Sequence, residues 1–133
     1  MKLIPCRLSQ MLIEERTDSQ IIFLNEIDGE RKIPIMIGAL EALAIDRAIK
    51  KQSFPRPLTH DLIVEILKQT KSACIAIRIT EIRDGTFYAE LVIQDQEGNE
   101  HLMDCRPSDA IALLVRLDNV PLYVSEDVLD EAP

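Results

Sequence analysis

The chain has 133 residues, 47% hydrophobic, 29% charged and only 4% aromatic, with a formal net charge of −8. That is enough for one domain, 1–133, with its own core, and too apolar for a disordered segment. The acidic balance opposes loose, charge-driven nucleic-acid binding, and no apolar run reaches the ~18 residues of a membrane span, so no membrane partner and a cytoplasmic location are expected.

The opening "MKLIPCRLSQ" lacks the apolar stretch of a signal peptide. Two strand-like runs follow at 3–13 and 20–27, with the polar "EERTDS" between them. "IDGE" is a tight-turn signal, because Asp-Gly readily takes positive φ. The run "RKIPIMIG" then puts Ile33, Ile35 and Ile37 on one face. Pro34 lacks an N–H, which predicts an edge strand or an outward-facing nitrogen.

Good helix formers at 39–52 predict a helix with a broad apolar face, including Leu40, Leu43, Ile45 and Ile49. The Phe54-Pro55 and Arg56-Pro57 pairs force an extended connection. Thr59 is then placed to cap a second helix with an apolar stripe of Leu62, Ile63, Ile66 and Leu67. Beyond Thr70 the period becomes two. Ile75, Ile77 and Ile79 share a face, Asp84-Gly85 turns the chain, and Phe87, Ala89, Leu91 and Ile93 share a face on the way back. A turn at "QEGN" and a strand at 101–105 complete an antiparallel meander. A third helix starts near Pro107 and buries Ala110, Ile111, Leu114 and Val115. "VPLYV" reads as a last strand, and Ser125 as the cap of a terminal helix. The expected fold is α+β, a mainly antiparallel mixed sheet packed with three to four helices.

Cys6, Cys74 and Cys105 form no CxxC pair and lie in apolar contexts, so they read as buried free thiols. No nucleotide-binding glycine loop, nucleophile elbow or HExxH zinc motif is present. Charge is uneven. Arg47, Lys50, Lys51 and Arg56 cluster before the second helix, while the residues beyond Glu81 are strongly acidic.

Two polar constellations stand out. In "RPLTHD" (56–61), Thr59 and Asp61 suit a helix start, but Arg56 and His60 do not serve capping. In "DCRPSDA" (104–110), Pro107, Ser108 and Asp109 suit a helix start, while Asp104 and Arg106 are again surplus. Arginine grips phosphate or carboxylate with two parallel bonds, and histidine transfers protons near neutrality. The two entrances are therefore expected either to meet around a cleft or to brace each other through an Arg56–Asp104 or Arg106–Asp61 salt bridge.

The blocks "IPIMIGALEALAI", "FPRPLTHDLI", "DGTFYAELVI" and "DCRPSDAIALLVR…VPLYV" resemble the bifunctional nuclease domain family over about 2–131. The resemblance implies that family's α+β fold, self-association as a homo-oligomer such as a dimer, and cleavage of RNA or DNA. Its polar signature falls on Glu41, Arg56, Thr59, His60, Asp61, Asp104, Arg106, Ser108 and Asp109. The roles expected are His60 as general acid or base with Asp61, and Arg56 and Arg106 as phosphate clamps. Asp104 and Asp109, with Glu41 or Asp61, are expected to hold Mg²⁺ or Mn²⁺. Thr59, Ser108, Arg47, Lys50 and Lys51 are expected to contact substrate. The competing expectation is a non-catalytic homo-oligomeric module that regulates or binds a small anion or nucleotide.

Overall fold

The computed structural model describes residues 1–14, 16 and 19–132, so Glu15, Thr17 and Asp18 of the polar 14–19 connection lie outside it. The described residues form β1 (Leu3–Leu12), β2 (Ser19–Glu26), β3 (Lys32–Gly38), α1 (Ala39–Ile49), α2 (Thr59–Gln69), β4 (Ala73–Arg83), β5 (Thr86–Gln94), β6 (Glu100–Cys105), α3 (Pro107–Leu114), β7 (Leu122–Ser125) and α4 (Glu126–Glu131). The strands make one mixed sheet in the order β3-β2-β1-β7-β4-β5-β6. Its pairings are antiparallel except β4 with β7, which is parallel. The α+β expectation holds, and β4–β5–β6 is the expected meander.

β3 is an edge strand, which accommodates Pro34. The Glu26 N–H donates to the Arg31 carbonyl at 2.9 Å, which closes the β2–β3 hairpin. Counting along the register, the bonded pairs are Leu24–Ile33, Ile22–Ile35 and Gln20–Ile37. Pro34 and Met36 fall between them and turn their backbone groups to the open edge, where a missing N–H breaks no ladder bond. Ile33, Ile35 and Ile37 point the other way from their neighbours and are buried with Ile22 and Leu24.

Alternation along β4 is less regular than the sequence implies. A bulge between Cys74 and Ala76 inserts Ile75, so Cys74 shares the inward face with Ile77 and Ile79. Ile75 is only half-buried. Cys6 and Cys74 are buried and Cys105 half-buried, all as free thiols.

The helices differ from expectation in their ends and faces. α1 stops at Ile49 rather than 52, because Lys51 adopts a left-handed φ of 54°. Thr59 does not cap α2. Leu58 occupies the cap position, Thr59 is the first helical residue, and the Asp61 carboxylate accepts the Leu58 N–H at 3.1 Å. α2 turns Ile63, Val64 and Leu67 to the core and leaves Leu62 and Ile66 half-exposed. α3 is buried almost all round: Ser108 and Ala110 to Leu113 are inside, whereas Leu114 and Val115 are partly exposed. Its small residues allow α1 and α2 to pack against it. Ser125 does stand at the cap of α4, but its hydroxyl makes no capping bond. Among the described residues, no helix is long and apolar enough to cross a membrane.

Candidate functional site

Helix packing brings the first turns of α1, α2 and α3 together, carrying Glu41, His60 and Asp109. His60 Nε2 lies 3.0 Å from Asp109 Oδ1. Arg106, the cap residue of α3, reaches Asp109 Oδ2 with Nε at 3.1 Å and Oδ1 with a terminal nitrogen at 3.3 Å. Its other terminal nitrogen donates to Glu41 Oε1 at 3.0 Å. The four side chains line a cleft of about 350 Å³, with Arg47 and Thr59 at its walls. Three converging helix N-termini add positive potential there, opposing the acidic net charge.

The local electrostatics follow from the contacts. Burial would raise the Asp109 carboxyl, but the bonds from Arg106 and His60 outweigh it and hold the group below the usual carboxylate range. Glu41 is also lowered, first by its own backbone N–H and then by Arg106. A Cβ on Gly38 would overlap the Glu41 carboxylate, so glycine there leaves room for it to reach Arg106. Asp109 is therefore ionised at neutral pH and can only accept. The His60 Nε2–H must be the donor, which fixes the tautomer of neutral His60 and leaves Nδ1 as its basic nitrogen. With its side chain 14% exposed, His60 is held in place yet reaches the cleft.

The expected residues divide. His60, Asp109, Arg106 and Glu41 converge. Asp61 does not join them: its carboxylate accepts from Arg116 Nε at 2.8 Å and caps α2. Burial would raise the Asp61 carboxyl, but Arg116 and the Leu58 N–H hold it low. The expected Arg106–Asp61 bridge is therefore replaced by Arg106–Asp109 and Arg116–Asp61. Asp104 pairs across the sheet with Glu90, while its neighbour Cys105 pairs with Ala89 on the buried face. Strand alternation thus turns Asp104 to the opposite, exposed side, away from Glu41 and Asp109. Neither the expected metal trio nor an Arg56–Asp104 brace is assembled. Arg56 is exposed and outside the cleft.

Lys50 pairs with Asp46 at 2.9 Å, and Lys51 lines a second cavity of about 590 Å³ together with Asp61 and Arg116. Ser108 is buried beside an apolar groove. Cys105 is no nucleophile: burial, then the charges of Asp109 and Asp104, push its thiol up to about 12.

Arg116 escaped the sequence reading. Its side chain is 7% exposed, and it holds Asp61 while donating to the Ala112 carbonyl at 2.8 Å. The available signal was its place just past the end of α3, where a basic residue satisfies the last carbonyls.

Among the described residues, no group of three or more His, Cys, Asp or Glu side chains is placed to hold a metal ion. Glu41 and Asp109 are the convergent carboxylates, and Arg106 already engages both. The donor set as arranged does not fit the expected divalent ion.

Among known proteins, the chain is 37% identical over 128 residues to an uncharacterized protein of Mycobacterium tuberculosis, covering 95% of this chain and 74% of that one. It is 26% identical over 111 residues to bifunctional nuclease 1 of Oryza sativa subsp. indica and to the bifunctional nuclease of Oryza minuta. Those matches cover 81% of this chain but 33% of each rice protein. The family model described as the bifunctional nuclease domain matches residues 22–133. The chain belongs to the bifunctional nuclease domain family.

Proposed function

We propose that this domain cleaves phosphodiester bonds in RNA or DNA, at the cleft where the three helix starts meet. The observation that carries this reading is the fixed His60–Asp109 pair with Arg106 beside it. A phosphate entering the cleft meets the guanidinium of Arg106, whose side chain is 65% exposed, with Arg47 nearby. His60 Nδ1 takes a proton from the attacking water as the new P–O bond forms. The leaving oxygen, on the opposite side of the phosphorus, takes its proton from water as the old P–O bond breaks, and the imidazolium, stabilised by Asp109, then returns its proton to solvent. Arg106 stabilises the charge that builds on the phosphoryl oxygens. No step is routed through a metal, because the carboxylates do not assemble one; whether Mg²⁺ or Mn²⁺ is needed is read directly in the assay.

The second reading, a non-catalytic anion-binding module, is favoured by one observation: Arg106 is already paired with its own carboxylates. Self-association belongs to both readings. The half-exposed Leu62 and Ile66 of α2 and the exposed Leu40 of α1 suit contact with a second copy.

The deciding experiment is cleavage of end-labelled single-stranded RNA and DNA by highly purified wild type and His60→Ala, each with Mg²⁺, Mn²⁺ or EDTA. Cleavage lost in a folded His60→Ala protein supports the nuclease reading. Equal cleavage by both, or none by either, rejects it in favour of the binding module.

A further inference from the structure

A groove of about 610 Å³ runs between the open edge of β3 and the tip of the β4–β5 hairpin, lined chiefly by Pro34, Met36, Ile37, Ile82, Thr86 and Phe87. Glu41 and Arg106 line both this groove and the cleft, so the two adjoin across the Glu41–Arg106 pair. We propose that the groove is a nucleobase subsite, taking the base of the nucleotide whose phosphate lies at Arg106. The inference rests on the phosphodiester reading and adds to it the part of the substrate that the cleft does not hold.

The match is chemical. A nucleotide is charged at one end and flat and weakly polar at the other. The groove has the Arg106 guanidinium, paired with the Glu41 carboxylate, at one end and chiefly apolar walls over the rest of its length. Ile82 and the half-buried ring of Phe87 offer surface to a base face, and stacking of that kind tolerates any of the four bases. The Met36 N–H and carbonyl turn to the open edge of β3, where one donor and one acceptor suit the edge of an unpaired base.

The other occupant to weigh is an extended peptide, which would lengthen the sheet at this edge. β3 is badly made for that. Pro34 has no N–H to give, and Gly38 already turns the chain into α1. Met36 is left as the one residue between them with a complete outward donor–acceptor pair. One such pair serves a base edge but not a strand ladder.

The test uses the full chain and NMR titration with adenosine 5′-monophosphate, ribose 5-phosphate and a short apolar peptide. Adenosine 5′-monophosphate is expected to move the signals of Met36, Ile37, Phe87 and His60, and to bind about tenfold more tightly than ribose 5-phosphate, which moves His60 but not the groove. In Met36→Glu that ratio falls below about threefold; because both ligands carry the phosphate, the ratio cancels any effect of the new charge on phosphate binding. The side chain is 67% exposed, so the fold tolerates the change.

Equal affinities, with both ligands moving His60 alone, overturn the base subsite and leave the phosphate site standing. No movement of His60 or the groove by either ligand overturns both. Peptide binding that shifts the Met36 amide, while the nucleotide leaves the groove unmoved, assigns the edge to strand pairing and also overturns the proposal.

Discussion

The starts of α2 and α3 are written almost alike, with Arg-Pro ahead of an Asp at the third helical position, yet the structure uses them oppositely. At α2, Asp61 caps the helix through the Leu58 N–H and is tied to the buried Arg116, while Arg56 stands in solvent. At α3, Asp109 makes no capping bond; Arg106 and His60 take its two oxygens. One entrance is tied into the fold, and the other gathers a His–Asp–Arg cluster at the cleft. What separates them is the neighbour each Asp meets: Arg116 from the end of α3 in one case, and His60 from the start of α2 in the other. Similar local sequence was given different work by tertiary contact alone.

The sharpest way to break that contrast is at His60 and Asp109. His60→Ala is expected to lower nucleic-acid cleavage by about 10²–10⁴-fold, the usual worth of a general acid or base. Asp109→Asn keeps the shape but removes the charge that fixes the His60 tautomer, so a loss of about tenfold or more is expected. Asp61→Asn should leave the turnover of folded protein nearly unchanged, measured at a temperature well below its unfolding midpoint. If Asp61→Asn abolishes turnover while Asp109→Asn does not, the roles assigned to the two entrances are reversed.

Stability should show the opposite ranking. Asp61→Ala orphans the guanidinium of Arg116, whose side chain is 7% exposed. Breaking a fully buried pair costs about 3–5 kcal/mol, and because Asp61 itself is 43% exposed the expectation is about 2 kcal/mol by urea unfolding. Asp104→Ala, on the exposed side of β6, should change stability by less than about 0.5 kcal/mol. A large loss at Asp104 would mean that the row Arg78–Glu90–Asp104 across the sheet matters more than its exposure suggests.

The strands, the edge position of Pro34 and the existence of two polar helix starts were legible because period-two alternation, a missing N–H and Pro-led caps are local properties. The convergence of His60, Arg106 and Asp109 was legible only as a possibility. Three things were not. The direction in which Asp104 points depends on strand phase, set by which β6 residue faces Ala89. The bulge at Ile75 breaks an alternation that the sequence keeps. The choice of Arg116 over Arg106 as the partner of Asp61 depends on how α2 lies across α3. Each is decided by packing between elements distant in sequence.

Acid should act on both entrances in the same direction. The carboxyls of Asp61 and Asp109 are held below their ordinary value in the folded chain. A lowered folded value means the unfolded state binds protons first, so the stabilisation is complete above the ordinary aspartate range near pH 4 and is lost as the pH falls through the folded values below it. Urea midpoints should therefore be flat from about pH 7 to 5 and drop below about 4. Asp61→Asn should flatten that acid limb. A limb as steep in the variant as in wild type would take the linkage away from Asp61.

The smallest expected effect is the one that tests the contrast most directly. Arg106→Ala removes the group proposed to meet phosphate, which also pairs with Glu41 and Asp109, so cleavage should fall by at least about tenfold. Arg56→Ala removes an exposed arginine outside the cleft, and cleavage should change by less than about twofold. Screened surface charge acts weakly, so any residual effect of Arg56 should appear at low salt as slower association and vanish near 0.15 M salt, where the Debye length is ~8 Å. A salt-independent loss in Arg56→Ala as large as that in Arg106→Ala would place both arginines on the substrate. It would also mean that the loop carrying Arg56 closes over the cleft when nucleic acid binds.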